Sequence, residues 1–153
     1  MSELQVGDQA PNFTLPSTAG GEIELASFRG QSSVLLAFFP LAFTGVCTGE
    51  MCDFSHDLAK FNEADAKVFG VSVDSIPTLN EFRQKNGIAV DLLSDFKREV
   101  SRSYGVLLED KFFAKRAYFI VDRNGTVAWF HIEAELGNKR DNSELLAKLG
   151  ELP

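Results

Sequence analysis

Cysteine is scarce in this chain: Cys47 and Cys52 are the only two in 153 residues. Two cysteines do not make a disulfide scaffold. In a reducing compartment, a close pair reads as chemistry or metal binding before it reads as a staple. Polar-tipped aromatics are also few, with one Trp and two Tyr against 14 Phe, so aromatic bulk goes mainly to apolar packing. No apolar run is long. The longest, residues 34–43, contains Pro40 and is far too short to span a bilayer. Basic charge is in deficit, with a net charge of -7 and a pI near 4.8. That argues against a nucleic-acid or anionic-membrane partner, which needs a basic patch. Repeats, low-complexity segments and long like-charge tails are missing as well. Residues 1–11 carry neither a basic n-region nor an apolar h-region, so the expectation is no secretory signal and a cytoplasmic location.

What remains is an ordinary globular composition, 44% hydrophobic and 24% charged, and a length that suits one domain, here residues 1–153. Gly20-Gly21 marks a turn between two short segments, 13–15 and 22–25, read as a hairpin. Residues 34–39 form a continuous apolar run of strand length, as for a strand buried on both faces, and Pro40 ends it. Met51, Phe54, Leu58 and Phe61 recur at three and four residues, which predicts one helix over about 47–63. A second strand over 68–73 completes a βαβ unit with a parallel pair. A helix over 78–85 stops near Gly87, and short elements follow at 92–93 and 97–104. A hairpin (117–121 and 126–132) turns on Asp122-Arg123-Asn124-Gly125, where Asn-Gly favours a tight turn. A last helix covers 143–149. The expected fold is α/β, a mixed central sheet with helices on both faces, in the element order of the thioredoxin-like architecture.

The chemistry collects at Pro40-Leu41-Ala42-Phe43-Thr44-Gly45-Val46-Cys47. This loop leaves the carboxyl end of a buried parallel strand, where ligands bind in open α/β sheets, and delivers Cys47 to the start of a helix. Free N–H groups and the positive end of the helix dipole favour a thiolate there. Pro40 fixes φ and lacks an N–H, so it can shape the loop and shield the thiol. Thr44 brings a hydroxyl across the first turn.

The run Pro40-x-x-x-Thr44-x-x-Cys47, between an apolar strand and a helix, resembles the active-site motif of the peroxiredoxins. The surrounding FFPLAFTGVCTGE is most similar to the AhpE type. Residues 7–13 resemble the family's opening, and Arg116-Ala117-Tyr118-Phe119-Ile120-Val121-Asp122 resembles its late Arg-bearing strand. The resemblance implies a thioredoxin-dependent peroxidase in which the Cys47 thiolate attacks a peroxide oxygen and becomes a sulfenic acid. It implies that Arg116 lies over the sulfur and helps to hold it as a thiolate, and that Thr44 donates to sulfur or peroxide oxygen. It also implies that no metal, haem or flavin is needed, and that electrons come from a thioredoxin- or glutaredoxin-like partner. Glu50 matches a Glu or Gln common in the family and is read as structural or hydrogen-bonding. AhpE-type proteins often pair as homodimers and PrxQ-type ones are often monomers, so both assemblies stay open. The apolar residues Leu107, Leu108, Phe112 and Phe113, read as a loop, suit local packing or a dimer face.

Cys52 follows Cys47 by five residues, the spacing of a resolving cysteine in the PrxQ (bacterioferritin-comigratory) type. Five helical residues rise about 7.5 Å and turn about 140°. A disulfide wants its Cα atoms within about 7 Å. Bonding the pair therefore requires the helix to unwind. On a helical wheel Cys52 falls off the apolar stripe, near Ser55, His56 and Lys60. Cys52 and His56 are spaced like paired metal ligands, but closed zinc sites take four ligands, and His56 and His131 are read as surface residues. A disulfide oxidoreductase lacks support, since no Cys-x-x-Cys is present. A redox-gated binding protein is the third alternative.

Overall fold

The computed structural model describes residues 4–152. Its first element is the hairpin expected around Gly20-Gly21, with β1 (Thr14–Pro16) antiparallel to β2 (Glu22–Glu24). A 3-10 turn, Leu25–Phe28, leads into β3 (Ser33–Phe38), whose six residues are all buried. Helices α1 (Gly45–His56) and α2 (Leu58–Glu63) carry the chain to β4 (Ala66–Ser72), which runs parallel to β3. Then come α3 (Ile76–Asn86), β5 (Asp91–Ser94) and the short α4 (Glu99–Ser103). A ribbon of β6 (Leu107–Leu108) and β7 (Phe113–Ala114) precedes the hairpin of β8 (Ala117–Val121) and β9 (Val127–Ile132), and α5 (Asn142–Gly150) closes the fold. The central sheet is mixed and five-stranded, in the order β5-β4-β3-β8-β9. It has the thioredoxin-like arrangement expected from the element order.

Strand alternation splits the core in two. Leu35, Ala37 and Phe39 face one side, where Met51 and Phe54 of α1, Phe82 of α3 and Leu145 of α5 pack. Val34, Leu36 and Phe38 face the other, against Phe13, Leu25, Val100 and Tyr104. Each such side chain contributes about 1.5–3 kcal/mol by leaving water. Two aromatic edges reinforce the second layer, Phe38 on Phe119 at 5.7 Å and Tyr104 on Phe119 at 5.1 Å.

Two expectations are corrected. The helix expected over 47–63 is two helices. The chain bends at Asp57 (φ -101°, ψ 12°), whose carboxylate accepts from the Asn142 side chain at 2.9 Å. The apolar stripe still runs through the bend, because Met51, Phe54 and Phe61 all stay in the core. The stretch around Leu107 and Phe113, expected as a loop, is an antiparallel ribbon pairing Leu107 with Ala114 and Leu108 with Phe113. Elements of two residues are too short to carry a periodicity.

Terminators act as their chemistry predicts. Ser75 caps α3 by accepting from Thr78 N–H, Pro77 sits in its first turn, and Gly87 ends it in the left-handed region (φ 63°). In the β8–β9 turn, Asp122 Oδ1 accepts from the N–H groups of Asn124 (2.9 Å) and Thr126 (3.0 Å).

Candidate active site

Pro40 lies just beyond the end of β3 and is buried. The loop after it is tied down from β4's side. Asp74 Oδ2 accepts from Ala42 N–H and from the Ser72 hydroxyl, each at 2.8 Å. Phe43 takes a left-handed conformation (φ 66°) and lays its ring against Phe82, with centroids 5.2 Å apart. Thr44 sits at the N-cap position of α1 with extended backbone (φ -100°, ψ 152°). Its hydroxyl donates to Leu41 C=O at 2.8 Å, so in this state it does not donate to sulfur.

Cys47 therefore stands in the first turn of α1, as expected, with only 1% of its surface exposed. Arg116 immediately precedes β8. Because β8 is antiparallel to β3, with Ala117 opposite Phe38, the start of one strand lies beside the end of the other. That pairing brings together two residues 69 positions apart, with Arg116 Nη2 donating to Cys47 Sγ at 3.1 Å. The Arg116 side chain is buried, with 2% of its surface exposed, and its fork is well occupied. Nη1 donates to Glu50 Oε1 at 2.8 Å, and Nε and Nη2 donate to Leu136 C=O at 3.3 and 3.2 Å. Glu50 follows Cys47 by three residues and so shares its helix face. Its second oxygen accepts from the buried Tyr118 hydroxyl.

The electrostatics follow from dryness. Burial pushes the Glu50 carboxyl above its ordinary range, while Arg116, the Tyr118 hydrogen bond and Lys139 pull it back. Burial opposes the Arg116 charge, but Glu50 and Cys47 outweigh it and hold the guanidinium charged. Burial and the neighbouring Glu50 push the Tyr118 phenol well up, so it remains a proton donor.

Cys52 and Cys47 are both free thiols on α1. Cys52 is half-buried, packs beside the core, and directs Sγ at Asn86 C=O at 3.7 Å. The wheel placed it away from the core. The difference arises because the C-terminal end of α3 reaches that flank of α1 at Asn86. His56 is exposed and His131 half-exposed, the latter beside buried Glu133 at 3.2 Å. No helix of the described residues is long and apolar enough to cross a membrane.

Three contributors escaped the sequence reading: Asp74, Leu136 C=O and Tyr118. A main-chain acceptor leaves no trace in residue type. Tyr118 had a signal, because it lies two residues after Arg116 on a strand, which places both on one face.

Comparison with known proteins shows the family. Residues 6–130 match the AhpC/TSA family. The chain is 37% identical over 150 residues to alkyl hydroperoxide reductase E of Mycobacterium tuberculosis, covering 95% of this chain and 98% of that one. It is 32% identical over 147 residues to peroxiredoxin Bcp of Escherichia coli, covering 92% and 94%. Among solved structures, the reduced 2-Cys peroxiredoxin of Plasmodium vivax superposes with a TM-score of 0.88 at 33% identity, over 95% of this chain and 80% of that one. With its buried first-turn cysteine under an arginine fork, the chain belongs to the AhpC/TSA family and is a peroxiredoxin, a thiol-dependent peroxidase.

Proposed function

We propose that Cys47 is the attacking thiol for hydrogen peroxide, alkyl hydroperoxides or peroxynitrite, that Cys52 resolves the product within the chain, and that a thioredoxin- or glutaredoxin-like protein recycles it. The observation that carries this reading is the 3.1 Å contact from Arg116 Nη2 to Cys47 Sγ at a helix N-terminus. A guanidinium there stabilises negative charge on sulfur before attack and on peroxide oxygen during it.

In the first step the thiolate sulfur attacks the terminal peroxide oxygen along the O–O axis. The S–O bond forms as O–O breaks. Sulfur loses two electrons and becomes Cys47–SOH, and the departing oxygen leaves as water or alcohol once protonated, or within nitrite when the substrate is peroxynitrite. Thr44 turns its hydroxyl from Leu41 C=O (2.8 Å) to the incoming oxygen. Pro40 closes the loop over the sulfur and excludes water. In the second step the Cys52 thiol attacks the sulfenic sulfur, the disulfide forms and water leaves. Both cysteines belong to the continuous helix α1, so its first turns must unwind before the sulfurs can bond. A dithiol partner then reduces the disulfide by thiol exchange, which suits a cytoplasmic setting.

The assembly is read as a homodimer. Phe112 is 59% exposed at the tip of the β6–β7 ribbon, and Phe43 is 50% exposed beside the site. Sedimentation of the reduced protein distinguishes dimer from monomer.

The decisive experiment treats reduced protein with one equivalent of hydrogen peroxide and follows intact mass and free thiols, in wild type and in Cys52→Ser. Loss of both thiols in wild type, with a sulfenic acid trapped on Cys47 in the variant, is expected. Sulfenic acid in both, with no disulfide, removes Cys52 from the cycle. No fast reaction at Cys47 overturns the proposal.

A further inference from the structure

Tyr118 is the one polar-tipped residue of β8, and it points into the layer that holds Cys47. It is fully buried. A hydroxyl in such a layer costs solvation unless it is bonded, and a phenylalanine fills nearly the same volume. This hydroxyl is fully engaged. It donates to Glu50 Oε2 and accepts from Arg140 N–H at 3.0 Å. Glu50 Oε1 in turn holds Arg116 Nη1 at 2.8 Å, and Nη2 of the same fork reaches Cys47 Sγ. Phenol, carboxylate, guanidinium and sulfur thus form one unbroken series. The chemistry of the peroxide step makes no direct use of the phenol.

We propose that Tyr118 is a positioning residue for the peroxide step: its hydroxyl fixes Glu50, and Glu50 fixes Arg116 on the Cys47 sulfur. The proposal rests on Cys47 being the attacking thiol. Three groups act on Glu50: Arg116 and Tyr118 by hydrogen bond, and Lys139, from the segment after β9, through its charge, while Cys47 lies three residues earlier on the same helix. Arg140 faces Tyr118 from that same segment. Without the phenol, Oε2 lies in a dry layer with no donor. Glu50 then takes up a proton more readily or turns away, and either change frees Arg116 Nη1. A competing effect has the opposite sign. A neutral Glu50 removes negative charge near the sulfur, which by itself favours the thiolate. The direction of the rate change therefore decides between them.

The test is Tyr118→Phe, which keeps the ring and its packing and is expected to melt cooperatively. The second-order rate constant for hydrogen peroxide is measured by competition kinetics from pH 5.5 to 8. We expect a fall of roughly tenfold, the size of one lost hydrogen bond to a charged group, widening toward acid pH as Glu50 protonates. In a Glu50→Gln background, which lacks the carboxylate, removing the phenol is expected to cost nothing further. An equal loss in both backgrounds, or a Tyr118→Phe protein as fast as wild type at every pH, overturns the proposal. A wild type inert to peroxide sinks the Cys47 reading and this one together. A fast wild type with an equally fast variant sinks this one alone.

Discussion

The Ser55 hydroxyl of α1 accepts a hydrogen bond from Ala89 N–H, beyond the end of α3, at 2.8 Å while donating to Met51 C=O at 2.8 Å. One turn earlier on the same helix, Cys52 directs its sulfur at Asn86 C=O. The helix whose first turns must unwind for a Cys47–Cys52 bond is thus fastened to its neighbour at two points, at Cys52 and one turn beyond it at Ser55. Ser55→Ala removes the stronger fastening, worth about 1 kcal/mol. Disulfide formation after a peroxide pulse is expected to quicken by roughly fivefold, and less sulfinic acid to accumulate under excess peroxide. Quenched-flow mass spectrometry reads both. A slower disulfide would show that Ser55 guides the unwinding and does not resist it.

Gly70 gives α1 its seat on β4. A Cβ there would stand 2.8 Å from Met51 Sδ and 2.7 Å from Leu92 Cδ2. Both neighbours are fully buried and have little room to yield. Gly70→Ala is expected to cost about 1–3 kcal/mol by overpacking, read as a lower urea midpoint with an unchanged slope. A midpoint equal to wild type would mean that the helix can lift without penalty.

Arg116→Lys retains a charge but loses the planar fork that spans Glu50, Cys47 and Leu136. The peroxide rate constant is expected to fall by roughly 100-fold, with secondary structure preserved by circular dichroism. A lysine enzyme within threefold of wild type would assign the effect to charge alone.

Asp57 sets a pH dependence. The Asn142 hydrogen bond, helped by Lys60, holds its carboxyl below the usual carboxylate value. A carboxyl lowered by folding contributes stability above its unfolded pKa, about 3.8, and loses it as pH falls through the folded value. Thermal melts of wild type and Asp57→Asn should therefore differ from pH 5 to 7 and converge under stronger acid. A gap that grows on acidification would contradict that sign.

Much of this was legible in residues. The βαβ half, the Asn124-Gly125 hairpin and the placement of Cys47 at a helix start all follow from runs, breakers and caps that act locally. The bend at Asp57 was not legible, because it answers to Asn142, far along the chain. The burial of Cys52 flank-on to α3 was hidden for the same reason, since a helical wheel shows which faces are apolar but not which neighbour arrives. Arg116 was paired with Cys47 only through family resemblance. Its fork around Glu50, Leu136 and the sulfur depends on strand order, which no local pattern carries.

The antiparallel pairing of β3 and β8 also governs where the chain can change length. Everything between Phe38 and Ala117 is an excursion that leaves and returns at one rim of the sheet. Residues added at its turns, such as Glu109 to Lys111 between β6 and β7, lengthen the excursion and leave the rim intact. A single deletion inside Ala117–Val121 acts differently. Side chains alternate along a strand, so a shift of one residue sends Arg116 to the opposite face of the sheet, away from the sulfur. The site therefore withstands insertion at outlying turns such as the β6–β7 tip and is intolerant of deletion across the five residues of β8.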